Sequence, residues 1–311
     1  NAVGDLYDKD EAIEVWMLAG RDQSTILKAM IDDTFTPTTG VKVNVKLVDP
    51  GILLNAVLAG KGPDVVLSVG QSEPVNYALR GAVEDLTQFD DFEEVLANFH
   101  PSAYEPYRFD GGIYALPETQ TFTMLFYRED ILKQLGIEVP QTWDELIAIL
   151  PIIQQNNMQV ILPATEGTMT NTNANLNGIL AFLYQYGGRL YDDDGKKVLI
   201  DNENAVQAFE KYTKFFTHYK LPTIYDFPNL FRSGQCPLGV VDFTTYNQLA
   251  VFAPEIRGLW DFTLLPGIER EDGTIDRSCN SGGVCSIILA QDDEQVKQNS
   301  WTFLKWWISA D

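Results

Sequence analysis

Apolar and polar positions along the chain alternate with two periods, and the switches between them outline the elements. Ile13-Glu-Val-Trp-Met-Leu18 is an almost unbroken apolar run, as expected of a buried strand. Gly20–Ser24 is a polar loop able to cap the helix predicted next, along which Ile26, Leu27, Met30, Ile31 and Phe35 recur at helical spacing until Pro37 and Gly40. Val41, Val43, Val45 and Leu47 then alternate strictly with polar residues, which predicts a strand with one buried face. A short helix over 52–59 leads through Gly60-Lys-Gly-Pro63 to a third strand over 64–69. Strand, helix, strand, helix, strand implies a parallel sheet with helical crossovers. Helices over 74–80 and 91–98 complete this first region.

The middle of the chain differs in texture. Two extended segments, 114–117 and 122–127, run across a lobe boundary. Pro140 and the capping box Thr142-x-x-Glu145 start a helix that Pro151 is expected to end or kink. A strand over 159–162 precedes a helix over 176–186 that stops at Gly187-Gly188. Asp201 or Asn202 caps another helix, with Ala205, Phe209, Tyr212 and Phe216 along its inner stripe. Strands follow over 238–241, 260–265 and 284–289, with a polar hairpin at 271–274. In the last helix, 293–308, Val296, Leu304, Trp307 and Ile308 point inward, and Trp301 and Trp306 lie on the less buried side.

Composition narrows the chemistry. The 311 residues hold 44 Asp+Glu against 22 Lys+Arg, a net charge of −22, and this argues against a nucleic-acid surface, which needs clustered cations. At 45% hydrophobic the chain is no acidic disordered tail, and its length implies two lobes. Every apolar run is shorter, or more interrupted by charge, than a membrane span requires. No basic stretch followed by an apolar one stands at Asn1, so the chain is expected to be a mature one with its signal removed, or a piece of a longer one. Cys236, Cys279 and Cys285 are odd in number, and a small disulfide loop from 279 to 285 is the minor alternative to free thiols. His100 and His218 stand alone without HExxH or CxxC, so no metal and no cofactor is expected. The phosphate loop, GxGxxG and the GxSxG elbow are all missing, and Asp192-Asp-Asp-Gly195 reads as a solvated turn rather than a calcium loop. Nothing here reads as an enzyme.

The order of several short motifs resembles a known family. They are Val15-Trp-Met-Leu-Ala-Gly20, Gly60-Lys-Gly-Pro-Asp-Val-Val66, Tyr114-Ala-Leu-Pro117, Leu125-Phe-Tyr-Arg-Glu-Asp-Ile131, Pro140-Gln-Thr-Trp-Asp-Glu-Leu146, Phe231-Arg-Ser-Gly234 before Leu238-Gly-Val-Val-Asp242, Leu264-Leu-Pro-Gly267, and Gly282-Gly283 before Trp301-Thr-Phe-Leu-Lys305. Together they are similar to the extracellular solute-binding proteins, family 1, the maltose-binding-protein-like carbohydrate binders of ABC importers. The resemblance implies an α/β fold of the two-lobed periplasmic-binding-protein-like type II, with discontinuous lobes, a hinge and a central cleft. Lobe one would be 1–114 plus 268–311, and lobe two 115–267. Members of that family continue past the Trp301 helix, so the chain is expected to be truncated and lobe two incomplete.

A saccharide offers hydroxyls around its edge and an apolar C–H face, so its site needs amide, carboxylate and hydroxyl groups beside flat rings. In open α/β sheets ligands meet the loops beyond the strand carboxyl ends. Those loops carry Arg21 after the first strand, and Gln71 and Ser72 after the third. The crossing segment offers Glu118, Thr119, Gln120 and Thr121, where the family commonly places ligand contacts. Glu166 and Asn173 lie in a Thr/Asn-rich run, Asp242, Phe243 and Tyr246 follow a buried strand, and Asn280, Gly282 and Gly283 precede another. Ser72 and Ser24 have helix caps as their plain alternative, Asp64 a structural turn, and Phe243 and Tyr246 a place in the core. The reading implied by the resemblance is a monomeric binder at the cell surface or in the periplasm, a lipoprotein anchored outside this chain. It captures a saccharide by hinge closure and presents it to ABC permease subunits. The rivals are a sensor or scaffold domain of a larger surface protein and a secreted carbohydrate-active enzyme.

Overall fold

The valine-rich runs pair side by side, as their apolar continuity requires. The computed structural model describes all residues except Asn1, Asp5, Met169, Thr170, Asn175, Asp194, Gly195, Ala310 and Asp311, and describes the backbone alone at 165–168 and 171–174. Two compact units emerge, Asn1–Gln120 with Gly282–Asp311, and Thr121–Ser281. The segment 268–281 therefore belongs with the second unit rather than the first. It is tied there by Gly267, whose N–H donates to Gln141 O and whose O accepts from Trp143 N–H. The fully buried Gln185 adds to this, its amide donating to the carbonyls of Pro266 and Ser278.

Unit one holds a six-stranded mixed sheet in the order Ala2–Val3, Lys42–Leu47, Ala12–Met17, Val65–Gly70, Val284–Ile288, Leu116–Pro117. The central three are parallel, with Val15 opposite both Val45 and Val65, all wholly buried. Asn44, expected on a polar face, is buried instead. Its side chain exchanges hydrogen bonds with the backbone of Tyr7 at 2.8 and 3.0 Å, because the N-terminal segment covers that face. The first helix, Arg21–Met30 with a wider turn through Phe35, turns Leu27, Ile31 and Phe35 inward. Ile26 and Met30 face solvent, since a residue one position off the i, i+4, i+8 stripe is rotated by about 100°.

The closing helix, Glu294–Trp307, corrects another expectation. Trp301 is buried, stacked on Phe89 at 4.7 Å, and donates its indole N–H to Asp91 at 2.7 Å. It belongs to the same stripe as Leu304, three residues on. Trp306 is half-buried against Phe35 and Phe303, while Val296, Trp307 and Ile308 pack at the margin of the core.

Unit two is built on a sheet in the order Trp260–Leu264, Thr121–Arg128, Leu238–Asp242, Val160–Ile161. Both faces are covered, and alternate residues serve opposite cores. Leu125, Leu238 and Val240 point to one cluster, and Met124, Phe126 and Val241 to the other. The helix Trp143–Gln155 begins as the capping motif requires, with Thr142 Oγ1 accepting from Glu145 N–H at 3.1 Å. The Glu145 carboxylate reaches back to Gln141 N–H instead of Thr142 N–H, one residue further than a capping box predicts. Pro151 neither ends the helix nor stands in its core; it is exposed, so the donor it lacks is lost on the solvent side. On Glu203–Thr217 the buried stripe is Ala205, Ala208 and Phe215, and Phe209 is 60% exposed, one position off that stripe.

The three cysteines are free, and burial pushes the Cys236 and Cys285 thiols up. Among the described residues no His, Cys, Asp and Glu gather to hold a metal, and no helix is long and apolar enough to cross a membrane.

Candidate functional site

In unit one the pairing pattern collects one edge. The parallel strands end there, and Val284 begins its antiparallel strand opposite Gly70. Pro117 closes its own strand opposite Cys285. The polar loops 18–23, 70–73, 118–120 and 282–284 therefore share the carboxyl edge of one sheet. Asp64 stands at the other end of its strand, where its carboxylate accepts Glu14 N–H at 2.7 Å and burial raises its pKa. That is a structural turn.

The edge is closely knitted. Glu118 N–H and Thr119 N–H both donate to Val284 O, and Val284 N–H donates to Thr119 Oγ1 at 3.2 Å. Gly283 has φ +150°, and a Cβ there would lie 2.1 Å from Thr119 O, so only glycine fits. The Glu118 carboxylate accepts from Ser68 N–H at 2.8 Å, Ser286 Oγ at 2.5 Å and Ser68 Oγ at 3.3 Å. Gln120 donates its amide to Ser102 Oγ at 3.0 Å. Gln71 is half-buried, Arg21 is exposed on the first turn of its helix, and Ser72 precedes the Glu73–Ala78 helix without a side-chain cap bond. Ser24 is no cap either; it lies inside its helix and donates to Arg21 O.

Unit two gathers a different set at the carboxyl edge of its own sheet. Asp242 is in register with Thr123, so the start of the Thr121–Arg128 strand lies beside the end of Leu238–Asp242. Asp242 Oδ1 accepts from Thr244 N–H at 2.8 Å and Thr244 Oγ1 at 2.6 Å, a turn that carries the chain into the Thr245–Phe252 helix. Phe243 stacks on Phe122 at 5.4 Å with planes 17° apart, and Tyr246 on Phe243 at 6.2 Å with planes 10° apart. Phe262 braces this row edge-on from the neighbouring strand. Phe122 is 36% and Tyr246 43% exposed, so the row is supported from below and open above.

Asn280 donates to Asn177 Oδ1 at 2.7 Å at the start of the Asn177–Gln185 helix, and its own Oδ1 is buried without a partner. Glu166 and Asn173 face each other in the register of the 165–174 hairpin, but their side chains lie outside the described residues.

Two residues at this edge escaped the reading of the sequence. Phe122 opens an extended segment read as crossing a lobe boundary, and only its pairing with the 238–242 strand puts it under Phe243. Thr123 is 2% exposed with an unpaired hydroxyl beside Asp242; the available signal was a threonine interrupting an apolar run.

Two sheets, each with its polar loops at the carboxyl edge, invite comparison with known proteins. The family described as bacterial extracellular solute-binding protein matches residues 20–311. The chain belongs to this family. Among its solute-binding relatives, a maltotriose-binding protein of Pyrococcus abyssi is 25% identical over 82% of this chain and 52% of its own length. An arabinooligosaccharide-binding protein of Halalkalibacterium halodurans is 22% identical over 78% of this chain and 54% of its own. The chain thus spans about half the length of these relatives. The fold matches that of the sugar-binding protein MalE from Xanthomonas citri, with TM-score 0.77, 19% identity and coverage of 96% of this chain and 75% of that one. It also matches maltose-bound MalE3 of T. maritima, with TM-score 0.72, 23% identity and coverage of 94% and 76%. Solute-binding proteins of this kind are binders, not catalysts.

Proposed function

We propose that this solute-binding protein takes a carbohydrate on the polar loops and rings described above, and hands it to the permease of an ABC importer. The observation that carries the reading is the open row of near-parallel rings, Phe122, Phe243 and Tyr246, entered by the chain directly after Asp242. Flat rings present an apolar face to sugar C–H groups, and the neighbouring carboxylate accepts from hydroxyls. In unit one Gln71, Thr119 and Gln120 supply amide and hydroxyl groups, Gly282 and Gly283 supply backbone approach, and Arg21 stands at the rim. Thr121 and Asn280 complete the set in unit two, with Glu166 and Asn173 carried on the hairpin. A neutral hydrogen bond contributes only about 1 kcal/mol, so several of these must act together to reach micromolar affinity, about −8 kcal/mol.

Names of the relatives support the ligand class: maltotriose, arabino-oligosaccharides and maltose are all saccharides. In this reading the protein works outside the cytoplasm as a lipid-anchored monomer. Titration calorimetry with maltose, maltotriose, arabinotriose, tagatose and ribitol tests it. Micromolar binding of at least one sugar is expected; no heat with any of them, from a protein shown to be folded, would defeat the reading.

A further inference from the structure

The Glu118 carboxylate lies among the proposed ligand loops, yet its surroundings direct it elsewhere. Between Val284 opposite Gly70 and Ile287 opposite Val66 the ladder slips by one residue, leaving Leu67 and Ser68 against the single Ser286. This is a β-bulge, and it frees a backbone N–H from the ladder. Ser68 takes up φ +60°, a left-handed conformation that a residue with a side chain adopts only when its surroundings impose it. The freed Ser68 N–H points at Glu118 Oε1, which also receives the hydroxyl of the fully buried Ser286. Oε2 is engaged by Ser68 Oγ. Both carboxylate oxygens thus have partners within unit one, supplied by two strands. Tyr107 and Cys285 lie nearby, and burial pushes the pKa of each up.

The consequence is geometric. Ser68 lies three residues before Gln71, Glu118 directly precedes Thr119 and Gln120, and Ser286 follows Gly283 by three. One carboxylate therefore ties together the strands that carry three of the four polar loops on this edge. We infer that Glu118 is a positioning residue: through Ser68 and Ser286 it holds Gln71, Thr119, Gln120 and the Gly283 backbone at fixed spacing, and does not itself bind the sugar. This rests on the saccharide reading for its effect on affinity, but not for its effect on the unliganded edge.

The test compares Glu118→Ala, Glu118→Gln, Ser286→Ala and the double variant Glu118→Ala/Ser286→Ala. Two measurements are made: calorimetric affinity for whichever of maltose, maltotriose or arabinotriose wild type binds, and amide hydrogen exchange of the unliganded protein. A latch requires that Ser286→Ala and Glu118→Ala each weaken binding about tenfold and that the double variant be no worse than Glu118→Ala. Glu118→Gln, whose amide oxygen still accepts from Ser68 N–H and Ser286 Oγ, stays within about threefold of wild type. Exchange at Ser68, Thr119 and Val284 rises in both alanine variants without sugar. Wild-type affinity in Ser286→Ala together with loss in Glu118→Gln would overturn the proposal and make Glu118 a direct contact. If wild type binds no sugar, the saccharide reading fails, and exchange alone then decides the latch: unchanged exchange overturns it.

Discussion

The carboxyl edges of the two sheets are built in different ways. In unit one the edge consists of backbone amides, short polar side chains and a glycine that nothing larger can replace, drawn together around a carboxylate. In unit two it is a row of rings, braced edge-on by Phe262 and open on top, with one carboxylate at its side. A polar edge depends on placement to within tenths of an ångström, because hydrogen bonds are directional. A ring surface tolerates more movement, since apolar contact scales with area. The two edges should therefore respond differently to damage.

The largest effect is expected from Gly283→Ala. Its Cβ would meet Thr119 O at 2.1 Å, so the segment must shift, destabilising the protein by about 3 kcal/mol and disordering the polar edge. Thermal unfolding reads this, and an unchanged melting temperature would mean the edge is looser than it looks. Phe243→Ala should act mainly on affinity, removing the middle ring of the row and weakening saccharide binding about thirtyfold, roughly 2 kcal/mol. Calorimetry checks it, and an equal loss of stability with intact affinity would make the row a piece of core. A third variant probes how unit two is held. The Arg128 guanidinium donates to both oxygens of Asp130 at 2.9 and 2.7 Å and holds that carboxyl below its ordinary value. A lowered folded-state pKa stabilises above the unfolded pKa of about 3.9 and ceases to as pH falls through the folded one. Asp130→Asn should therefore lose about 1 kcal/mol at pH 7, and melts should converge on wild type as pH drops below 4. Smallest is Gln71→Ala, expected to weaken sugar binding about threefold in calorimetry, as one neutral hydrogen bond among several.

Much of the fold was legible because burial writes itself into periodicity. Alternation over 41–47 and the continuous run over 13–18 marked neighbouring strands, and Thr142 and Asn202 marked helix starts that the structure confirms with side-chain caps. The failures are of two kinds, helical phase and burial by distant segments. Ile26, Met30 and Phe209 are apolar and near a buried stripe, but lie one position off it. Trp301 reads as a margin residue until Phe89, from a segment more than 200 residues away, is stacked beneath it. Asn44 reads as solvent-facing until the backbone of Tyr7 covers it. For Trp301 and Asn44 the deciding neighbour is distant in the chain and leaves no local mark.

At the candidate site the division runs the same way. Residue types and their positions after strands suggested Gln71, Asp242, Phe243 and Tyr246. Phe122 came forward only when antiparallel pairing set it beneath Phe243. The Ser68 bulge could not be read, because a serine with φ +60° looks like any other serine until the register of two strands is known.

The sequence by itself determined the α/β class, the order of the main strands and helices, and the absence of the familiar nucleotide and hydrolase motifs, since each depends on local pattern alone. Tertiary structure decided which loops share an edge, which rings stack, and which carboxylate is engaged by its own fold. Those outcomes depend on register between segments far apart in the chain, and a one-residue slip in register exchanges the buried and exposed faces of a strand.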